Sequence, residues 1–180
     1  LKTPLTIIES YANMLKRWGM KRPDLVEESI DAIYSEAGRM REMTEQMLLL
    51  AKNEEDLNMA FTTFNLIDLC VETGKTFENV YQREVHVHCG ERLVYVQADE
   101  QKIKQILYIL LDNARKYSSE AIDIHVGRTN GNFYFSVEDK GIGIPKENLH
   151  TVFDRFFRVD KSRTRTSGGT GLGLAIAKKI

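Results

Sequence analysis

The first 54 residues place their apolar side chains at alternating intervals of three and four positions. This spacing gathers apolar residues on one side of an α-helix, and the turn at Gly19 and residues 22–24 divides the stretch into two helices. The first helix carries two apolar stripes and the second carries one long seam. The stripes are Leu1, Leu5, Ile8, Ala12 and Leu15, and Ile7, Tyr11, Met14 and Trp18; the seam is Val26, Ile30, Ile33, Ala37, Met40, Thr44, Met47 and Ala51.

A helix with two apolar stripes has more surface to bury than one partner helix can cover. The pattern over residues 1–54 therefore predicts a helical hairpin that pairs with a second copy as a homodimeric four-helix bundle. A hairpin packed against the rest of its own chain is the alternative.

The pattern changes beyond residue 60. Residues 53–60 are acidic and break the period, which indicates a linker. The remainder predicts a mixed α/β domain. Strands are expected over 61–65, 85–89, 93–97, 122–128 and 132–138, with 85–89 and 93–97 forming one hairpin and 122–138 another; helices are expected over 66–83, 99–117, 145–153 and 172–180, with Asp99 as an N-cap, and a mobile loop over 158–170.

Composition excludes several classes of protein. The 25 Lys and Arg residues nearly balance 26 Asp and Glu residues, for a net charge of -1, which argues against a nucleic-acid binder. The longest apolar runs are far shorter than the roughly 20 residues of a membrane span. Cys70 and Cys89 cannot form a disulfide framework, so a reducing compartment is the simpler interpretation.

We interpret the chain, from Leu1 to Ile180, as a piece of a larger protein.

Three segments can carry chemistry. Residues 139–145 follow a predicted strand, and residues 168–174 open a predicted helix; both are rich in glycine, which lets backbone N–H groups approach a phosphate. Asn113, Lys116 and Tyr117 share one helix face, where an amide oxygen can bind Mg²⁺ and a lysine can meet phosphate. Taken singly, the two glycine segments are as typical of ordinary turns as of phosphate binding, and the three helix residues are more typical of a solvated helix face.

Their order resembles a known family. Residues 113–117, 139–143, 153–158 and 169–174 resemble the N, G1, F and G2 boxes of sensor histidine kinases, and Leu-Lys-Thr-Pro-Leu-Thr at 1–6 resembles the end of their H box. The resemblance implies a dimerisation and histidine-phosphotransfer hairpin (1–54), a linker (55–60) and a catalytic ATP-binding domain of the GHKL type (61–180). The resemblance implies that this second domain folds as an α/β sandwich.

The resemblance also implies the site. Asn113 would bind Mg²⁺, Asp139 would recognise the amino group of adenine, and residues from about 146 to 170 would form a lid over ATP. Thr3 would act in dephosphorylation of the partner. The implied ATP-binding residues are Asn113, Lys116, Tyr117, Asp139, Gly141, Gly143, Phe157, Arg158, Gly169, Thr170, Gly171 and Leu172.

The chain departs from the family pattern at three places. The phosphoacceptor histidine would lie just upstream of Leu1, outside the chain. Ile109 stands where the N box usually has a second asparagine, so one Mg²⁺ ligand is missing. The family usually continues beyond the position of Ile180. Separately, His86 and His88 share a strand face and can in principle bind a metal, although an ordinary strand pair is the simpler interpretation.

The implied activity is that of an ATP-dependent protein-histidine kinase. It phosphorylates its own histidine and then passes the phosphoryl group to an aspartate of a response-regulator receiver domain. The alternatives are a nucleotide-binding pseudokinase or dimer scaffold, and another GHKL ATPase. The resemblance implies the cytoplasmic portion of a membrane-anchored bacterial sensor, with no nucleic-acid partner and with membrane contact only through segments outside this chain.

Overall fold

The computed structural model describes residues 2–19, 22–53, 58–159 and 169–180. The chain divides into two compact units, residues 1–51 and 52–180. No helix in the described ranges combines the length and the apolarity that crossing a membrane requires.

The first unit is a hairpin of two helices, α1 (Lys2–Trp18) and α2 (Asp24–Ala51), which pack along each other. The predicted seam on α2 splits into two. Val26, Ile33, Met40 and Met47 are half-buried, whereas Ile30, Ala37, Thr44 and Ala51 are exposed. Each set recurs every seven residues and so keeps to one side of the helix, and the apolar spacing of three and four positions contains both sets.

The second unit is an α/β domain, as predicted. Its elements, in chain order, are β1 (Phe61–Asn65), α3 (Leu66–Tyr81), β2 (Val85–Cys89), β3 (Tyr95–Asp99), α4 (Glu100–Tyr117), β4 (Ile122–Thr129), β5 (Asn132–Glu138), a 3₁₀ turn (Lys146–Asn148) and α5 (Gly173–Lys179).

Strand pairing differs from the sequence prediction at β2 and β3. The described strands form a three-stranded sheet in the order β2-β4-β5 and a separate pair of β1 and β3. The predicted hairpin of 85–89 with 93–97 is therefore wrong: β2 runs parallel to β4, and β3 runs antiparallel to β1. The Asn65 side chain explains part of this choice, since its Oδ1 accepts hydrogen bonds from the backbone N–H groups of Ile67 and Val94. It thereby caps α3 and holds the start of the β3 segment beside β1.

Alternation along the β4 strand separates a buried face from a solvent-facing one. Ile122, Ile124 and Val126 are buried in the core, together with Phe77 of α3 and Leu107 of α4. The intervening residues of β4 point to the other side of the sheet. The two helices thus cover one face of the three-stranded sheet, which gives the α/β layering that the sequence predicted.

Three predicted boundaries are confirmed or shifted for local reasons. Asp99 is the N-cap of α4: its side chain accepts hydrogen bonds from the Ala60 and Lys102 N–H groups, which lower the pKa of this carboxyl. The β4–β5 hairpin turns through Asn130 and Gly131, both at positive φ. The helix α3 ends at Tyr81 because the next residue adopts the left-handed conformation.

The helix predicted over 145–153 is shorter than expected. Only Lys146–Asn148 is helical, as a single 3₁₀ turn, and turns follow it. The predicted helix over 172–180 is confirmed as α5. Most of the predicted mobile loop falls on residues 160–168, which lie outside the described residues.

Candidate functional site

The carboxyl-terminal turns of α4 carry one part of the candidate site. Leu107, Leu111 and Ala114 recur at steps of four and three and are buried in the core. With these three residues facing the core, Asn113 and Lys116 are half-buried and Tyr117 is exposed. The helix face that the sequence predicted from spacing is therefore present.

Lys116 already has an anionic partner on the same helix. Its Nζ lies 2.5 Å from Asp112 Oδ2, while Arg115 Nη2 lies 2.8 Å from Asp112 Oδ1. Lys116 and Asp112 are one helical turn apart, an arrangement that stabilises the helix modestly. The ammonium group is consequently held in a defined place at the end of α4.

The loop after β5 approaches the last residue of α4 very closely. A Cβ atom at position 141 would lie 2.5 Å from the carbonyl oxygen of Tyr117 and 2.5 Å from Asp139 Oδ1, so only glycine fits there. The Gly141 N–H donates a hydrogen bond of 2.8 Å to Asp139 Oδ1. Asp139 is thus fixed beside the end of α4, with its side chain exposed to solvent. Gly143, in the same loop, has a φ of +68°.

The second glycine-rich segment, residues 168–174, lies near the hydroxyl group of Tyr117. A Cβ atom at position 169 would lie 3.7 Å from the Tyr117 hydroxyl and 3.9 Å from Arg158 Nη2. At position 173 it would lie 3.2 Å from Ile109 Cγ2, so the start of α5 packs against α4 one turn before Asn113. Asn113 therefore lies on α4 between two points of contact with the glycine segment.

Residues 156–158 are locked to this glycine segment. The Phe156 N–H donates to the Gly171 carbonyl at 2.8 Å, and a Cβ atom at position 171 would lie 2.8 Å from the Phe157 carbonyl oxygen. Gly171 has a φ of +71° and Phe156 a φ of 65°, so both occupy the left-handed region. Leu172 is fully buried, and its N–H donates to Thr170 Oγ1 at 3.3 Å.

Arg158 supplies an unused donor beside the segment. Its Nε is buried and has no hydrogen-bond partner among the described residues. A buried donor without a partner costs free energy unless a ligand or water satisfies it. Arg158 therefore fits a role in binding an anion near Gly169 and Tyr117.

A neighbouring groove was not predicted from the sequence. It encloses about 370 Å³ between α4, the turns after the 3₁₀ segment and α5. The individually named ATP-binding residues do not line it, whereas Leu149, His150 and Phe153 of the predicted lid do. The full set of lining residues is Leu110, Leu149, His150, Phe153, Leu174, Ala177 and Lys178. The three- and four-residue spacing of Leu174, Ala177 and Lys178 on α5 was the available signal.

Thr3 lies in the other unit. It is exposed on α1, and Pro4 follows it within the same helix.

The chain matches two family models. Residues 98–180 match the family of histidine kinase-, DNA gyrase B- and HSP90-like ATPases, and residues 1–56 match the His Kinase A (phospho-acceptor) domain. The sensor histidine kinase YkoH of Bacillus subtilis is 50% identical over 180 residues, which are 100% of this chain and 40% of that protein. The chain spans about 40% of the length of the curated relatives it matches.

Solved structures give the same picture. The catalytic domain of histidine kinase ThkA is 32% identical, with a TM-score of 0.59 over 68% of this chain and 80% of that chain. ThkA in complex with the response regulator protein TrrA is 26% identical, with a TM-score of 0.75 over 87% of this chain and 47% of that chain.

The contact between Gly171 and residues 156–157 can be tested directly. Gly171→Ala places a side chain in the left-handed region, at about 1–2 kcal/mol, and against the Phe157 carbonyl. We expect the Phe156 amide to exchange its hydrogen about tenfold faster, because 1.4 kcal/mol corresponds to a factor of ten. The matched control is Gly90→Ala, where a Cβ atom meets nothing within 4 Å. Equal exchange in both variants contradicts the contact.

Proposed function

This chain belongs to the sensor histidine kinases, and we propose from that premise that its second unit binds Mg²⁺-ATP and its first unit presents the phosphoacceptor helix. In the full-length protein the kinase transfers the γ-phosphoryl group to a histidine upstream of Leu1. It then passes that group to an aspartate of a response-regulator receiver domain. The relative whose structure includes the response regulator TrrA supports this partner class.

The observation that carries the proposal is the meeting of three separate segments at Tyr117. Its carbonyl oxygen abuts Gly141, and its hydroxyl lies beside Gly169 and Arg158. Segments far apart in sequence thus surround the end of one helix. Two of them are glycine-rich turns that let a ligand approach the backbone.

Asp139 is proposed to recognise adenine. The Gly141 N–H occupies one lone pair of Oδ1, and a carboxylate has further lone pairs with which to accept from an exocyclic amine. Gly141 lets the loop approach the Tyr117 carbonyl closely enough to fix the carboxylate, and Gly143 leaves open space in the same loop for the flat base. Position 143 meets nothing within 4 Å, which is consistent with an open pocket there.

The phosphate side is proposed to lie along residues 169–172 and Arg158. Gly169 and Gly171 offer backbone N–H groups just before α5, and Arg158 offers its buried Nε. The Leu172 N–H is already bonded to Thr170 Oγ1, so these two residues shape the turn. Lys116 can exchange Asp112 for a phosphate oxygen, since both are anionic and Lys116 is held by a single carboxylate. Phe157 fixes this segment through its contact with Gly171.

Asn113 is the proposed Mg²⁺ ligand. Its half-buried amide supplies one oxygen of the kind that Mg²⁺ prefers, and phosphate oxygens and waters complete such a shell. Ile109, one turn earlier, packs against Gly173 and has no donor atom. Bound Mg²⁺ would neutralise phosphate charge, while the residues of this chain position the nucleotide for in-line attack by imidazole.

The first unit is proposed to dimerise. Ile30, Tyr34 and Leu48 are exposed by 53%, 77% and 61%, and their spacing of four and fourteen places them on one side of α2. An apolar stripe of this kind remains unpaired in the single hairpin, and a second copy would cover it. Thr3 is proposed to orient water for dephosphorylation of the response regulator.

The adenine contact predicts a selective loss of affinity. In Asp139→Asn the acceptor becomes an amide of the same shape, and we expect ATP to bind at least tenfold more weakly, about 1.4 kcal/mol. Titration calorimetry measures the change. Asp68→Asn, which alters an exposed carboxylate on α3, serves as the control and should leave the affinity unchanged. Unchanged affinity in Asp139→Asn contradicts the assigned contact.

The metal assignment predicts a change in Mg²⁺ dependence. Asn113→Ala removes the one side-chain amide within residues 109–117 of α4, so ATP binding should no longer strengthen on adding Mg²⁺, while Mg²⁺-free ADP binding should survive in part. The full-length variant should also incorporate at least tenfold less label from radioactive ATP. Asn79→Ala, an exposed asparagine on α3, is the control. A Mg²⁺ dependence that persists in Asn113→Ala overturns the assignment.

The dimer interface predicts a change of oligomeric state. Ile30→Asp with Leu48→Asp places two charges on the exposed stripe of α2, and burying unpaired charge is strongly unfavourable. Both side chains are exposed in the single hairpin, so the protomer should keep its helicity by circular dichroism. Sedimentation should shift from dimer to monomer. Ser35→Asp, off the stripe, should remain dimeric; a dimeric double variant excludes this surface as the interface.

A further inference from the structure

Histidine and acidic side chains cluster on the solvent-facing side of the three-stranded sheet. His86 and His88 of β2 lie opposite Asp123 and His125 of the parallel strand β4. The inner neighbours of these residues, such as Ile122 and Ile124, are buried in the core. Alternation therefore points the cluster away from the helices α3 and α4, and away from the proposed nucleotide site at the end of α4.

Three side chains in this cluster bring ligand atoms close together. Asp123 Oδ1 lies 2.6 Å from His88 Nε2 and 3.5 Å from His86 Nδ1. One ligand atom from each of His86, His88 and Asp123 lies within 4.8 Å of the other two. The three side chains converge on one point above the sheet.

A further carboxylate orients His86. Glu84 Oε1 lies 3.0 Å from His86 Nε2, on the opposite side of the ring from the nitrogen that faces Asp123. When Glu84 accepts the proton of Nε2, the Nδ1 atom is left with its lone pair toward the cluster. A carboxylate behind a histidine is the usual arrangement in protein metal sites.

We propose that His86, His88 and Asp123 form a binding site for one divalent transition-metal ion, and that Zn²⁺ is the ion they suit. Two imidazoles and one carboxylate are ligands that Zn²⁺ prefers, whereas Mg²⁺ and Ca²⁺ prefer oxygen alone. Three protein ligands leave a fourth position for water, as in open zinc sites.

Two of the three distances between ligand atoms need only small side-chain movements, and the third, between the two histidines, is at most 4.8 Å and must close by up to about 1.4 Å. In a tetrahedral zinc site with bonds of about 2.0–2.1 Å, ligand atoms lie roughly 3.3–3.4 Å apart. The His86–Asp123 distance of 3.5 Å already matches this spacing. The His88–Asp123 distance must open by about 0.7 Å from its hydrogen-bonded value, and both side chains are partly exposed, by 51% and 27%.

His125 supports the site without supplying a ligand in this arrangement. Its ring stacks on that of His88, with centroids 4.8 Å apart and planes 19° apart, and its Nε2 lies 3.4 Å from Glu138 Oε2. The stacking restricts the orientation of the His88 ring. The thiols are not part of the cluster: burial raises the pKa of Cys70 to about 12, and Cys89 ends β2 on the alternate side of the strand.

The test is a titration of the untagged, chelator-stripped chain with ZnCl₂, followed by calorimetry and by competition with a chromophoric zinc indicator. We expect one Zn²⁺ per chain, and at least tenfold weaker binding in His86→Ala, His88→Ala and Asp123→Asn. Glu84→Gln should weaken binding by about tenfold, because it acts through His86. Excess Mg²⁺ should not compete.

Two controls separate this site from other zinc-binding groups. His150→Ala, a histidine elsewhere in the same domain, and Cys89→Ser should bind Zn²⁺ like the unaltered chain. ATP affinity in Asp123→Asn should also be unchanged, which separates this site from the proposed nucleotide site. The proposal is overturned if the unaltered chain shows no saturable one-to-one binding, or if the His150 or Cys89 variant loses it equally.

Discussion

The close approach of Gly141 to the end of α4 holds the candidate site together. No side chain can stand between the loop after β5 and the Tyr117 carbonyl, since even a Cβ atom would come within 2.5 Å. The same tyrosine borders Gly169 through its hydroxyl. The positions of Asp139 and of the segment before α5 are thus both set by where α4 ends.

The place where α4 ends is decided by packing in the core. Leu107, Leu111 and Ala114 are buried against α3 and the sheet, which fixes the rotation of the helix about its axis. A rotation by one residue would turn Asn113 into the core and leave a buried amide to be satisfied. Apolar spacing on one side of α4 therefore determines which polar groups reach the site on the other.

Much of this arrangement could be predicted from local sequence. Asp99 was recognisable as an N-cap, and Asn130-Gly131 as a hairpin turn, because each signal acts within a few residues. The partner of β2 was not predictable in this way. Alternation of apolar and polar residues indicates which side of a strand is buried but not which strand lies beside it. The hydrogen bond from the Val94 N–H to the Asn65 side chain joins residues 29 positions apart, beyond the range of local sequence signals.

The same distinction between local signals and long-range contacts applies to the candidate site. Spacing placed Asn113, Lys116 and Tyr117 on one face, and the resemblance supplied the remaining residues. Neither indicated that Arg158 has a buried Nε without a partner among the described residues, nor that Asp123 joins His86 and His88. Both facts depend on contacts between segments that are distant in sequence, which no periodicity records.

The histidine cluster and the proposed nucleotide site share no side chain. They are linked through the backbone of the strands β4 and β5. Asp123 of the histidine cluster pairs in register with Glu138, and Asp139 of the proposed adenine contact is the next residue along the chain. A ligand on the outer face alters the nucleotide site only if it binds two arrangements of this strand pair with different affinity, and any such coupling acts equally in both directions. With the β4–β5 register extending over seven residue pairs, a second arrangement would have to break several of them together. The sheet therefore favours two sites that operate separately on one rigid support.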